Sequence, residues 1–482
     1  MPAPLAALLA VAAVTSLAWA TVIPPLQGND EIAHFAYTQR IVETGDLPQD
    51  TEPGTSPYST EVRAAAEWAG LGALVGNRAA RPAWSDAEEE RWELIERRLD
   101  EGARADGTGT NPARQNPPLY YAYEAVPYAA AYEADFFDRL FAMRLWSILL
   151  HVATVALAWL IAGELLGGAM WVRALAAAVV ALHPQLAYIG GVVNPDTALA
   201  AFGSAFIYAA IRFVRHGPSL PRSLALGGTT AAILVTHPRG LPFVLPAVLA
   251  VGVVAWRRRA ALRSVVAGSA TALAAVAAGA VGYLVVVTGS GGEADGGPLG
   301  TGGGGANPFE VREFLSYLWQ FYLPRLPFQD PMIGPDYGWQ TAFSDTFYGV
   351  FASLEVLYPE SLYDVLQWLS VAGLVALAVA LVRRRREIAP HGDVLVVLAA
   401  TAAAVVLGLH FAAYRNLLSN PGDPIIVGRY LFPLIALFGV AVAFVVSSLP
   451  RRAAPYAAGA VVVAGVLLQL TGLGLSIGRF YA

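Results

Sequence analysis

Asp30, Glu31 and His34 stand close together in "IPPLQGNDEIAHFAYTQRIVETGDLP", residues 23–48, directly after the first long apolar run of the chain. Two carboxylates and an imidazole at this spacing suit proton transfer or the holding of a divalent cation. Asn29 is a suitable N-cap and Gly45 a suitable stop, so a short helix is expected over 30–44. On it, Asp30, His34, Tyr37 and Ile41 share one face, with Glu31 and Phe35 on the neighbouring face. Acids in a first helical turn often do no more than complement the helix dipole. Here the segment follows "IPPL" with no polar spacer, and a carboxylate at a bilayer boundary carries a desolvation cost unless it is used. A partly desolvated carboxylate beside a second acid gains proton affinity, which suits a general base near neutral pH.

The boundary itself follows from composition. The 482 residues are 56% hydrophobic and only 14% charged, with a mean hydropathy of +0.52, too few polar groups to cover a water-soluble protein of this length. Apolar runs predict about eleven spans, near 3–23, 140–165, 168–190, 195–215, 223–237, 239–256, 264–288, 362–382, 393–413, 427–448 and 455–476. The fifth is short and reads as broken or sheltered by its neighbours. The first lacks a positive flank and is long for a signal peptide, so it reads as an uncleaved span. There is no cysteine, which excludes disulfides and thiol catalysis.

All 31 basic residues are arginine, and their placement orients the chain. Arg212, Arg215 and Arg222, then Arg257, Arg258, Arg259 and Arg263, then Arg383 to Arg386, then Arg451 and Arg452 fall in alternate short loops, the cytoplasmic side by the positive-inside rule. The N-terminus is then inside and the C-terminus outside. The expected class is an all-α integral membrane protein, one domain over 1–482, with two large extracytoplasmic loops at 24–139 and 289–361.

Both loops carry amphipathic helices. "WSDAEEERWELIERRLDEG" has Ser85 and Glu88 at capping-box spacing, a Trp92, Ile95 and Leu99 stripe, and a Glu93–Arg97 pair. "GSGGEADGGPLGTGGGGANP" has linker composition, and "FEVREFLSYLWQFYLPRLPF" after it belongs in the membrane interface. The run "RRRRE" is a topology signal and not a nucleic-acid site.

A span followed by a short external helix carrying Asp-Glu resembles the C-type (GT-C) membrane glycosyltransferases. "P-P-x-x-x-x-D-E-x-x-H-F" followed by "G-D-L-P" looks more closely like the bacterial DUF2142 family of that superfamily. "NPPLYYAYEAVPY" from Asn116, "FAMRLWSILLH" with Arg144, "GGVVNPDTALA" and "GRYLFPLIA" from Gly428 resemble further family elements in the same order.

The resemblance implies an inverting glycosyltransferase on the outer face of a bacterial cytoplasmic membrane. It would move a sugar from a polyprenyl-phosphate donor to a cell-envelope glycan, lipid or protein. Asp30 is then the base, with Glu31 assisting, holding a metal or merely capping the helix, and His34 either orienting Asp30 or binding a metal with it. Magnesium or manganese stays open, because some enzymes of the superfamily need a metal and others do not. Arg429 with Tyr430 is assigned to the donor phosphate, because an always-charged fork suits phosphate. Arg144 and Arg239 are further candidates for that role, since they break the positive-inside pattern. Asn116, Tyr120, Tyr121, Asn194 and Asp196 are substrate-binding candidates, with helix capping as the plainer reading of the last two. A transporter or flippase of lipid-linked sugars is the rival class. It would place charges near the bilayer midplane.

Overall fold

The computed structural model describes residues 1–49, 54–82, 85–100, 102–167, 169–257, 262–289, 309–334, 337–419 and 426–482. Most of the expected linker (290–308), Arg258, Arg259 and Asp336 lie outside them.

Apolar periodicity turns into helix almost throughout. In chain order, α1 (Ala3–Val22) leads into the first loop, which holds α2 (Glu31–Thr44), α3 (Thr60–Trp68), α4 (Leu71–Leu74), α5 (Asp86–Glu96) and α6 (Leu119–Ala130). A long α7 (Phe136–Leu166) re-enters the bundle, followed by α8 (Met170–Ala181), α9 (Pro184–Gly190), α10 (Asp196–His216), α11 (Leu220–Leu234), α12 (Val244–Arg257) and α13 (Leu262–Gly289). The second loop carries α14 (Val311–Tyr322), α15 (Thr346–Tyr348) and a two-residue hairpin, β1 (Val350–Phe351) against β2 (Val356–Leu357). The rest is α16 (Glu360–Arg383), α17 (Arg385–Ile388), α18 (Gly392–Ser419), α19 (Ile435–Ser447) and α20 (Ala454–Tyr481).

Among the described residues nine helical segments are long and apolar enough to cross a membrane, and ten if α8 and α9 form one span. That pair bends by 63° where His183 caps α9 and Pro184 opens it. By length and hydropathy among the described residues, the expected count of eleven is not confirmed. The fifth expected run became α11, whose 15 residues extend about 22 Å, short of a hydrocarbon core about 30 Å thick. The chain is a multi-pass membrane protein of the all-α class, helical apart from loops and one short hairpin among the described residues.

Two cores organise it. The larger joins α1, α7, α8, α10 and α19 through Trp19, Val155, Val180, Phe206 and Val440. The smaller seats the first loop through Phe35, Tyr37, Trp92, Tyr121 and Phe136. The helix expected around Trp92 lies on the protein, with Trp92 buried against Trp68 and Phe137 and the Arg97–Glu93 pair at 2.6 Å. Glu61, also buried, ties this loop down. It accepts from Arg139 (2.5 Å), Arg104 (3.0 Å) and Gln39 (2.7 Å).

Both loops and the end of α20 share one side of the bundle. Arg479 donates to Leu74 O and Ala80 O (2.8 Å each) and to Glu355 Oε2 (2.9 Å), while Glu355 Oε1 accepts from Gly76 N.

Candidate active site

The turn between α1 and α2 sets Asp30. Gly45 ends α2 as expected, in the left-handed region, with its N–H on Ile41 O. At the start, Asn29 is not the cap. Asp30 occupies that position with φ 56° and ψ 16°, and its carboxylate makes no capping bond. Aspartate is one of the few non-glycine residues that adopts this conformation at small cost. Asn29 is used elsewhere. Its Oδ1 accepts from Tyr188 Oη (2.6 Å) and its carbonyl from Asn194 Nδ2 (2.9 Å), which fastens the turn to the start of α10. The Asp30 side chain is left 70% exposed, so the desolvated carboxylate expected from the sequence is replaced by an open one.

Asp196 is the centre of charge. It sits at the start of α10, where the helix dipole favours an acid, and its N–H is held by Asn194 Oδ1 (2.9 Å). Its Oδ1 accepts from Arg239 Nη1 (2.8 Å), and its Oδ2 lies 3.2 Å from Arg429 Nε. That second contact is an ion pair without hydrogen-bond alignment, since the Nε has no hydrogen-bond partner among the described residues. Arg429 Nη2 also lies 3.7 Å from Asp30 Oδ2. Arg429 therefore sits between two carboxylates, fully charged, with donors not committed to either. Tyr430 underlies both cations, its ring centroid 3.6 Å from Arg239 Cζ and 5.5 Å from Arg429 Cζ.

The two arginines arrive on matching devices. Each lies in a tight 3-10 turn that opens a span, Pro238–Phe243 for Arg239 and Gly428–Leu434 for Arg429, and each turn contains a proline. The prolines are accommodated by glycine. A Cβ on Gly203 of α10 would strike Pro433, and one on Gly408 of α18 would strike Pro242.

His34 faces the same space but does not orient Asp30. Its Nδ1 is paired with Tyr121 Oη (3.0 Å), which accepts in turn from Asn116 Nδ2 (2.8 Å). Tyr37 stacks on Tyr121 at 3.7 Å and donates to Asn116 O, so α2 and the start of α6 hold one another. Burial pushes the His34 imidazole down to about 4, so it is neutral at pH 7. Burial and the adjacent Arg239 likewise hold His237 well below its ordinary value. The His237 ring lies 3.1 Å from Arg239 N and 2.8 Å from its Nη2. A neutral imidazole has one acceptor nitrogen, so only one of these is a hydrogen bond at a time.

Glu31 and Arg144 are corrected. Both are buried, and they meet as a bidentate pair at 2.8 and 2.5 Å. Glu31 also accepts from Val193 N, and Arg144 donates to Ala20 O, Ile23 O and Pro24 O. Neither lines the cavity described next. The pair clamps α7 to the end of α1, and every donor and acceptor has a structural partner. Tyr120 is also buried away from it, against Ser147.

Asp30, His34, Asn116, Asn194, Asp196, Arg239, Arg429 and Tyr430 border one cavity of about 1160 Å³. Beyond this polar end the walls are apolar. They consist of Leu241, Leu245 and Val248 on one side, Leu407 and Phe411 of α18 on the other, and Phe314 of α14. Leu245 and Leu407 are 65% and 52% exposed, so the apolar arm opens to the lipid-facing surface. Phe314 belongs to the aromatic segment after the linker, which the sequence places at the membrane interface. The leucine and valine walls carry no mark of their own, because such residues inside spans look alike until two helices part.

The Asp196 oxygens are occupied by arginines and His34 Nδ1 by Tyr121, and no cluster of three histidine or acid side chains is arranged to ligate among the described residues.

This chain belongs to the family described as "Predicted membrane protein (DUF2142)", which it matches over residues 14–438. Comparison with curated protein sequences finds no match. Among solved structures it is similar to ArnT from Cupriavidus metallidurans in the apo state, at 14% identity and a TM-score of 0.40, covering 93% of this chain and 61% of that one. It is also similar to the archaeal oligosaccharyltransferase AglB from Archaeoglobus fulgidus, solved with an inhibitory peptide and a dolichol-phosphate, at 10% identity and a TM-score of 0.47, covering 98% of this chain and 55% of that one. The chain thus spans little more than half to three-fifths of those proteins' length.

Proposed function

We propose that the protein is an inverting membrane glycosyltransferase that takes a sugar from a polyprenyl-phosphate donor and passes it to a cell-envelope acceptor at the outer face of a bacterial cytoplasmic membrane. The observation that carries this reading is the shape and charge of one cavity. An open carboxylate and two arginines stand at its polar end, and an apolar arm leads from them to the lipid. A lipid phosphate fits such a space head-first, its chain lying along Leu245, Val248 and Leu407.

In the reaction, Asp30 accepts the proton of the acceptor hydroxyl as that oxygen attacks the anomeric carbon. The bond from that carbon to the phosphate oxygen breaks, and the phosphate keeps the electron pair. Arg429 and Arg239 stabilise the charge that develops there. Asp196 holds both cations in place, and His34, neutral and fixed by Tyr121, lines the space where the acceptor enters. A transporter is less well supported, because the charged residues gather at one end of the cavity.

The test is transfer of radiolabelled sugar from a panel of polyprenyl-phosphate sugars, in membranes holding matched amounts of protein. Asp30→Asn keeps the backbone conformation but cannot take the proton, and it should lower the rate about 10²- to 10⁴-fold. Full activity of this variant would remove Asp30 from the base role. Full activity of an Asp30→Asn, Arg429→Gln double variant would overturn the transferase reading.

A further inference from the structure

A second cavity, of about 520 Å³, lies at the other end of the bundle, bordered by Leu160, Glu164, Arg173, Tyr208, Arg215 and His391. It is remote from the candidate active site. Nineteen residues of α10 separate Asp196 from Arg215, about 28 Å of helix.

Positive charge exceeds negative charge here. Among the described residues Glu164 is the single acid in the wall, and Arg212, Arg215 and His216 all lie within 3.7 Å of it. Arg173 contributes a further cation from α8, its Nε on Gly167 O at 3.2 Å. One carboxylate cannot neutralise the two arginines of the wall, Arg173 and Arg215, with Arg212 beside them, so the described pocket carries a net positive charge. The placement of Arg173 is built into the packing. Its guanidinium crosses α7 at Gly163, where a Cβ would approach within 2.9 Å of Arg173 Cζ. The surroundings are those of a bilayer boundary. Leu160 within the pocket is 42% exposed, and Met170 and Trp171 at the start of α8 are 49% and 45% exposed.

We propose that this pocket binds the phosphate headgroup of an anionic membrane phospholipid, in the leaflet opposite the candidate active site. Arg173 and Arg215 contact the phosphate, and the acyl chains run down past Leu160 and Trp171. Basic pockets between spans at a bilayer boundary are suited to such headgroups.

The experiment uses the full chain, purified and delipidated in neutral detergent, with lipid retention read by native mass spectrometry and stability by thermal melting. Three probes are added separately: phosphatidylglycerol, phosphatidylcholine and inorganic phosphate. Phosphatidylglycerol should be retained and should raise the melting temperature, and the other two should not. An Arg173→Gln, Arg215→Gln double variant should bind phosphatidylglycerol roughly 30-fold more weakly. The single Arg173→Gln variant gives a milder version, should the double variant fail to fold. Equal retention of both lipids, an equal effect of inorganic phosphate, or unchanged binding by either folded variant would overturn the proposal.

Discussion

At the scale of single residues, adjacent acids have opposite fates. Asp30 and Glu31 are neighbours, yet one is open to a cavity and the other is wholly buried against Arg144. Their backbones differ, Asp30 being left-handed (φ 56°, ψ 16°) and Glu31 the first helical residue. Asp30 is 70% exposed beside Arg429, while Glu31 is held against Arg144 and Val193 N. Arg429 differs from Arg144 in the same way, with donors uncommitted where Arg144's are all engaged. We therefore expect Arg429→Lys to keep part of the transfer rate and to weaken donor binding, seen as a raised donor KM, because a point charge replaces a fork. A KM equal to that of the unaltered protein would remove Arg429 from the phosphate.

His34 makes a pH prediction. Its folded value of about 4 lies below the ordinary 6.5, so the unfolded chain binds the proton more readily. The stability it contributes is complete above about pH 6.5 and is lost as pH falls through about 4. The groups facing it are Asp30, Asp196, Arg239 and Arg429. Thermal melting of His34→Gln should vary less across this window than melting of the unaltered protein. Parallel curves would show that His34 does not titrate there.

At the scale of elements, the first loop is a folded unit whose anchor is Glu61. Among the described residues, removing it by Glu61→Ala would leave Arg139, which is fully buried, with no carboxylate on it, only the Tyr132 and Ala134 carbonyls and the face of the Tyr128 ring. An uncompensated buried cation of this kind costs about 3–5 kcal/mol. The melting temperature should fall, and limited proteolysis should cut between residues 60 and 110 first. An unaltered digestion pattern would mean that the aromatic core under the loop suffices. The two 3-10 turns illustrate the same scale. Pro242 and Pro433 are legible as helix disturbances in the sequence, but their pairing with Gly408 and Gly203 is visible only once α18 and α10 lie against them.

At the scale of the whole molecule, the arginine pattern predicts that the short loops face the cytoplasm and the large loops the outside. The fold adds that both large loops and the end of α20 meet on one side, through Arg479 and Glu355. A reporter fused after Arg386 should signal as cytoplasmic, and one fused after Gly303 as external. Exchanged signals would move the proposed chemistry to the inner face.

Sequence alone determined the membrane class, most spans, the helix after the first span and the grouping of Asp30 with His34. These depend on local hydrophobic periodicity and on cap residues, which act within a few positions along the chain. It did not determine which charges were free. Glu31 and Arg144 are 113 residues apart, Asp196 and Arg239 are 43 apart, and Arg429 reaches Asp30 across most of the chain. A buried charge must find its partner in space, and the packing of helices, not their spacing in sequence, decides whether an arginine is consumed by a neighbour or left facing a cavity.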